Sequence, residues 1–321
     1  MTRGYKLGAV VFVLSVWLAF PLSSVWPQAP KTLNVGYIPI VSVLPLYAAV
    51  DNGYFKAAGV ELKLTTMAGG AVIIPAIIGG SLDLGFSAYF PVIAARANGL
   101  DLVIVAATVR EIGPPQPYVA VVVRADSGIN NAKDLEGKTF AVNTLKAVDW
   151  LTTSEWMALS GADQKKVNWV ELPFPTMGGA LRNQKVDAIT GVDPFMTVEL
   201  GQGGVKLIGY PYLAINPKMP VAGFVSTGSW VKKNQELSDR FVRALSQGTD
   251  YVNEKPEKRG ELVAKFTRVS PELAAKLRFY PGFDHYIDAQ ALQKTVELAL
   301  KWGLISKSVD VKELALPGVL K

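Results

Sequence analysis

Four short segments of the 321-residue sequence carry the side chains best suited to chemistry. GYIPIVS contains Tyr37, Pro39 and Ser42, and GFSAYF contains Ser87 and Tyr89. AVNTLKAVDW offers Asn143 and Thr144, and GVDPFM offers Asp193 and Phe195. Hydroxyls, an amide, one carboxylate and aromatic rings form a hydrogen-bonding set. Such a set suits a mostly apolar small-molecule pocket with a few convergent polar groups. Covalent and metal chemistry is poorly provided for. The absence of cysteine removes thiol nucleophiles, disulfides and Cys-ligated metals. His285 is the single histidine, so His-rich metal sites are excluded and a Ser–His–Asp triad has one candidate base. It follows Pro281 and Gly282 and precedes a helical pattern, which reads as a turn or surface position. GxGxxG, Walker and GxSxG sequences are absent, and GFSAY fails the last at its final position. No catalytic residue, metal ligand or cofactor is assigned.

The elements that must position these residues follow from periodicity. TLNVGYIPI, VELKLTTM, LDLGFS and LDLVIVAATV read as strands. SVLPLYAAVDNGYFKAAG, AVIIPAIIGG and AYFPVIAARANG read as the helices between them. This β-α-β order produces a parallel sheet with helices on its faces. The three prolines of REIGPPQP mark a connection, after which the pattern restarts from YVAVVVRA. KTFAVN, KVNWVEL, VDAITGV and VKLIGY are strands, with KAVDWLTTSEWMALSG, TMGGALRNQ and DPFMTVELGQGG as helices. YPYLAINPKMPVAG is a second proline-rich connection. GFVSTGSWVKKN returns as a strand, and ELSDRFVRALSQGTDYVNE, PELAAKLRF and DAQALQKTVELALKWG are helical. AIIGGSLDLGFSAYFPVIAARANGLDLVIV also lies in parallel with ALRNQKVDAITGVDPFMTVELGQGGVKLIG, element for element. Two such units joined by two proline-rich connections give two lobes around a cleft.

In that arrangement all four segments sit where ligands bind, at strand carboxyl ends and helix N-termini. Taken singly, Ser42, Ser87, Thr144 and Asp193 equally fit helix caps, and Tyr37 and Phe195 fit plain core. Asp83 and Asp187 open their strands, the wrong end for a ligand, and read as structural. Arg110 ends a buried strand and either reaches an anion or pairs with Glu111 or another carboxylate. Phe174 and Met177 suit an apolar cleft wall.

Arg3 and Lys6 precede the apolar run LGAVVFVLSVWLAF, a secretory pattern. Residues 1–29 are assigned as the leader, with Ser23–Ser24 permitting a cut after Ser24. Uncleaved, the same run would serve as a membrane anchor. The 33 basic and 27 acidic residues are scattered, and no basic stripe with interleaved aromatics points to nucleic acid. The expected lobes are 30–118 plus 225–321, and 119–224.

VGYIPIVSVLPLYAAVDNGYFKAAGVELKL, GSLDLGFSAYFPVIAARANG and VDAITGVDPFMTVELGQGG resemble the periplasmic solute-binding proteins of ABC importers for nitrate, aliphatic sulfonates and taurine. That superfamily includes thiamine-precursor-binding proteins. The likeness spans about residues 31–305. It implies a type II periplasmic-binding fold, each lobe a mostly parallel sheet flanked by helices, joined by hinge strands around Tyr118–Val123 and Gly223–Ser226. It also implies a periplasmic monomer that closes on a small ligand and delivers it to an inner-membrane permease. Tyr37–Ser42 and Ser87–Tyr89 would line one side, and Asn143, Thr144 and Asp193 the other. The family's third segment is often a Gly/Ser/Thr-rich anion cradle, whereas NTLKAVDW reads as offering only Asn143 and Thr144. Asp193 would disfavour a plain anion unless it meets an amine or ring nitrogen. An enzyme on this fold and a membrane-tethered sensor are the alternatives. Pyrimidine-synthesising relatives depend on a cysteine-rich motif that this cysteine-free chain lacks.

Overall fold

The computed structural model describes residues 31–113 and 117–321, with Met1, Thr2 and Gly4. Apart from those three residues, the expected leader lies outside the described residues. Eleven strands are present among the described residues. They are β1 (Lys31–Tyr37), β2 (Val60–Thr66), β3 (Leu84–Ala88), β4 (Leu102–Arg110), β5 (Ala120–Arg124), β6 (Thr139–Val142), β7 (Asn168–Glu171), β8 (Ala188–Gly191), β9 (Val205–Gly209), β10 (Pro220–Thr227) and β11 (Gly282–Phe283).

They form two sheets, ordered β11-β4-β10-β3-β1-β2 and β7-β6-β8-β5-β9. Read from β2 and from β7, the two orders match strand for strand, with β11 as an added edge. In each sheet one interior strand opposes both neighbours, β10 in the first and β5 in the second, and the edge strand β11 also runs antiparallel to β4. This is the two-lobe α/β architecture expected. Burial explains the strand sequences. β4 and β10 lie inside the first sheet with both faces covered, and LVIVAATVR and PVAGFVST are buried almost throughout. At the far edge, β2 alternates, with Val60 buried and Leu62 and Leu64 partly so.

The internal echo extends to single atoms. Asp83 Oδ2 accepts from the Asn34 backbone N–H of β1 at 2.7 Å, and Asp187 Oδ2 accepts from the Thr139 N–H of β6 at 2.9 Å. Each aspartate N–H in turn donates to the carbonyl of the same residue. Both are structural, as their position at the strand starts implied. Asp83 also accepts from Asn34 Nδ2 at 3.0 Å and Trp230 Nε1 at 2.8 Å. Asp83→Ala is therefore expected to cost about 2 kcal/mol of stability with ligand affinity unchanged. Urea unfolding and calorimetric titration check the two halves of that statement.

The chain crosses between the sheets twice, over residues 111–119 and 210–219. Glu111 N–H donates to the Met219 carbonyl at 2.9 Å, so the crossings are bonded to each other. The expected second hinge, Gly223–Ser226, instead lies inside β10, flanked by β3 and β4. Pro220 starts that strand, where its missing N–H is tolerated. Residues 220–224, expected in the second lobe, are thus in the first sheet. Of the first expected hinge, Tyr118 and Val119 are in the crossing and Ala120–Val123 are in β5.

Two helical readings also change. The strand over GFVSTGSWVKKN ends at Thr227, whose Oγ1 accepts from Trp230 N–H at 3.1 Å and caps the helix Gly228–Lys233. PELAAKLRF is helical only over Pro271–Ala274, and the Phe279 N–H beyond it is taken by a side chain of the other lobe. The long helix Gln235–Glu254 buries Leu237, Phe241, Ala244, Leu245 and Val252 at helical spacing. It packs on the helix Leu44–Asp51 through Gly248, whose missing Cβ would lie 2.1 Å from the Pro45 carbonyl oxygen.

Candidate functional site

A cavity of about 60 Å³ lies between the lobes. One wall is built at the ends of β1, β3 and β10 by Ile38, Ile40, Phe86, Ala88 and Ala222. The opposite wall follows β6, β7 and β8, with Asn143, Thr144, Asp149, Phe174 and Val192. The floor is supplied by the crossings themselves, through Tyr118 and Tyr212. Their rings meet edge to face, centroids 6.0 Å apart at 70°. The site is therefore made at strand ends, as the topology requires, plus one aromatic residue from each crossing.

The polar groups here are organised. Tyr118 OH is hydrogen-bonded to Ser42 Oγ, tying the first crossing to the end of β1. Tyr212 OH donates to Asp149 Oδ1 at 2.6 Å, tying the second crossing to the helix Val148–Leu159 that follows β6. Asp149 is 5% exposed. Burial pushes its carboxyl up to about 6, opposed by the Tyr212 hydroxyl and the Asn143 backbone N–H. Glu111 fixes the first crossing from behind. Its Oε1 accepts from the N–H groups of Ile112, Gly113 and Tyr118 at 2.9, 3.1 and 3.3 Å. Burial raises its carboxyl as well.

Several bonds join the lobes around the cavity. Asn143 Nδ2 donates to the Ala68 carbonyl at 2.9 Å, and Val41 N–H to the Asp193 carbonyl at 3.0 Å. Further out, Glu155 accepts from Lys301 Nζ at 2.7 Å and Trp302 Nε1 at 2.8 Å. The helix carrying Lys301 packs on β10 of the first sheet, so this pair spans the lobes.

Of the nine residues picked from sequence, Asn143 and Thr144 line the cavity directly. Ser42 is fully buried one bond behind it, through Tyr118. Pro39 lies between the two lining residues Ile38 and Ile40 without lining it. Tyr37 ends β1 with its ring edge-on to Tyr47, in the core. Ser87 is buried between the lining residues Phe86 and Ala88, and its Oγ donates to the Ala88 carbonyl at 3.0 Å. Tyr89 is 1% exposed and lines a separate cavity with Arg110 and Asp284. Phe195 is half-buried against the core, away from the cavity. The hydroxyl caps expected for Ser42, Ser87 and Thr144 are not formed either. The helix starts beside them carry no side-chain cap, because Val43, Ala88 and Ala147 occupy those positions.

Asp193 is the largest departure. It is fully buried and turned away from the cavity. Oδ1 accepts from Thr197 N–H at 2.9 Å. Oδ2 accepts from Thr197 Oγ1 at 3.0 Å and from Phe279 N–H at 3.2 Å. The first pair caps the helix start, and the last reaches into the other lobe. Burial pushes this carboxyl up to about 6, with the bonds to Thr197 and Phe279 opposing it.

Three polar cavity residues were missed by sequence reasoning. Asp149 stood inside the quoted AVNTLKAVDW, at the second position of the helix it opens. Tyr118 and Tyr212 stood in the proline-marked connections, where aromatic residues beside a two-lobe crossing were the available signal. Among the other readings, Phe174 lines the cavity and Met177 is core behind it. Arg110 pairs with Asp284 and donates to the Glu111 carbonyl. His285 Nε2 is 2.8 Å from Asp250 Oδ1, remote from the cavity.

Known proteins share this fold. The chain is 25% identical over 309 residues to a putative aliphatic sulfonates-binding protein of Escherichia coli, covering 89% of each. It is 24% identical over 241 residues to a 4-amino-5-hydroxymethyl-2-methylpyrimidine phosphate synthase of Saccharomyces cerevisiae, covering 71% of this chain and 68% of that one. The fold matches the alkanesulfonate-binding protein of Xanthomonas axonopodis pv. citri with a TM-score of 0.76 at 20% identity, over 89% of this chain and 98% of that chain. Residues 41–259 match the family model described as NMT1/THI5 like, and the chain belongs to that family.

Proposed function

We propose that this protein is the extracytoplasmic solute-binding component of an ABC importer. One observation carries the reading: a single cavity takes its walls from both lobes and its floor from both crossings. A ligand held there touches every part that moves when two lobes close about a hinge. The solute is small, either an anion of the sulfonate, taurine or nitrate kind or a heteroaromatic of the thiamine-precursor kind. The sulfonate-binding relative supports the first and the pyrimidine synthase the second. The contact set is Tyr118, Asn143, Thr144, Asp149, Phe174 and Tyr212. The protein is exported by its N-terminal leader, acts as a periplasmic monomer, and delivers its solute to an inner-membrane permease. Among the described residues no helix is long and apolar enough to cross a membrane.

Native mass spectrometry of protein purified from its own periplasm tests this. A one-to-one small-molecule adduct and loss of roughly the first two dozen residues are expected. Protein that carries no adduct, and shows no thermal shift with any solute of a metabolite extract, would sink the proposal. The second reading, an enzyme on this fold, has the synthase relative in its favour. Turnover of a co-purified solute by the protein alone would establish it.

A further inference from the structure

We infer that the cavity selects positively charged or N–H-rich ligands through Asp149, and rejects sulfonate and nitrate. The inference rests on the importer reading and names the ligand chemistry of that same site. Among the described lining residues there is no lysine or arginine, and Asp149 is the one carboxylate. A sulfonate or nitrate placed here would bury its charge beside a carboxylate with no side-chain cation to offset it. Like charges at close range in a poorly hydrated site cost far more than in water.

The location of Asp149 sharpens the point. The helix Val148–Leu159 points its N-terminus at the cavity from the end of β6. In this fold such a terminus is where an anionic ligand would be received. Asp149, at the second residue, places the chain's own carboxylate there instead. Tyr212 OH holds one oxygen at 2.6 Å, and Oδ1 is thereby oriented from the second crossing. The rest of the wall is uncharged, with aromatic and amide groups from Phe86, Phe174, Tyr118 and Asn143 set among aliphatic side chains. A flat cation fits that set, with its face on the rings and its N–H groups on Asp149. Because Tyr212 belongs to the crossing, a ligand that pairs with Asp149 meets a carboxylate held in place from that crossing. Asp149 is a specificity-determining residue, and Tyr212 is a positioning residue acting through it.

Two shape-matched probes of opposite charge test this, benzamidinium and benzenesulfonate, with nitrate as a third. Calorimetric titration of the mature protein is expected to show benzamidinium binding about 100-fold more tightly than either anion. Asp149→Asn should weaken benzamidinium by about 30-fold or more and strengthen benzenesulfonate. A merely structural role for Asp149 would weaken both together. Tyr212→Phe should weaken benzamidinium by less than Asp149→Asn and leave the order of the probes unchanged. Tighter binding of benzenesulfonate or nitrate by the wild type overturns the selectivity and leaves the importer reading standing. So does benzamidinium affinity unchanged in Asp149→Asn. If none of the three binds, the solute that co-purifies decides: an organic cation supports the inference and an anion overturns it. Absence of any bound solute, together with no thermal shift in a metabolite extract, overturns the importer reading itself.

Discussion

Asp193→Ala is expected to weaken ligand binding by about 100-fold, although Asp193 does not face the ligand. Its carboxylate holds three donors: Thr197 N–H and Oγ1 in its own lobe, and Phe279 N–H in the other. Truncation leaves those donors buried without a partner, at about 1–3 kcal/mol each. In an open form water can reach the exposed interface and satisfy Phe279, so the cost falls mainly on the closed form. A ligand that needs the closed form then binds with an affinity reduced by the lost closed fraction. About 2.7 kcal/mol of bias corresponds to the hundredfold effect. Titration calorimetry reads the affinity, and small-angle scattering without ligand should show a larger radius of gyration. A lower melting temperature with unchanged affinity and unchanged radius would make Asp193 a helix cap and nothing more.

Gly248→Val should have the largest effect on stability. The long helix Gln235–Glu254 lies so close to the helix Leu44–Asp51 that a Cβ at 248 would sit 2.1 Å from the Pro45 oxygen and 3.0 Å from Ala49 Cβ. The partner at 2.1 Å is backbone, so relief requires the helices to separate. Separation would loosen the Phe55, Phe224 and Phe241 cluster, whose centroids are 5.2 to 5.3 Å apart at the Phe241 contacts. Overpacking of this kind costs about 1–3 kcal/mol or more, and β-branching in a helix adds to it. A melting temperature lower by roughly 5 °C is expected, with affinity at low temperature within a few-fold of wild type. Gly248→Ala should lose about half as much. A change below about 2 °C for the valine variant would mean that the helix pair relaxes without cost.

The two predictions differ in how readable their residues were. Strand order, the two lobes and the roles of Asp83 and Asp187 were legible because periodicity and position along a strand dictate them. Asn143 and Thr144 were legible because they end a strand of the second sheet on the cavity side. Ser87, Tyr89 and Asp193 lie at strand ends equally well, yet their side chains turn into the core, a separate cavity and the lobe interface. Sequence gives the strand end, whereas the direction of a side chain depends on the twist and on what packs behind it. Ser42 shows the intermediate case, lying next to the cavity but shielded by Tyr118, a residue 76 positions away. The crossings were located by their prolines. Their tyrosines went unread because a connection was expected to link the lobes and not to line the site. Asp149 was hidden by its neighbours, since a helix-opening aspartate has an ordinary electrostatic reason to be there.

The two matching sheets differ in how they are threaded. Every strand of the second comes from one uninterrupted stretch, from Ala120 to Gly209, whereas the first needs β10 inserted between β3 and β4. A chain that emerges N-terminus first therefore releases β1 to β4 before the strand that joins them. Until Thr227 has emerged, the hydrophobic edges of β3 and β4 have no mate, while the later-made lobe already holds all its own strands. Contacts of long sequence separation form late, so the first lobe to emerge is the last to be completed. Its exposed strands are where a chaperone would be needed.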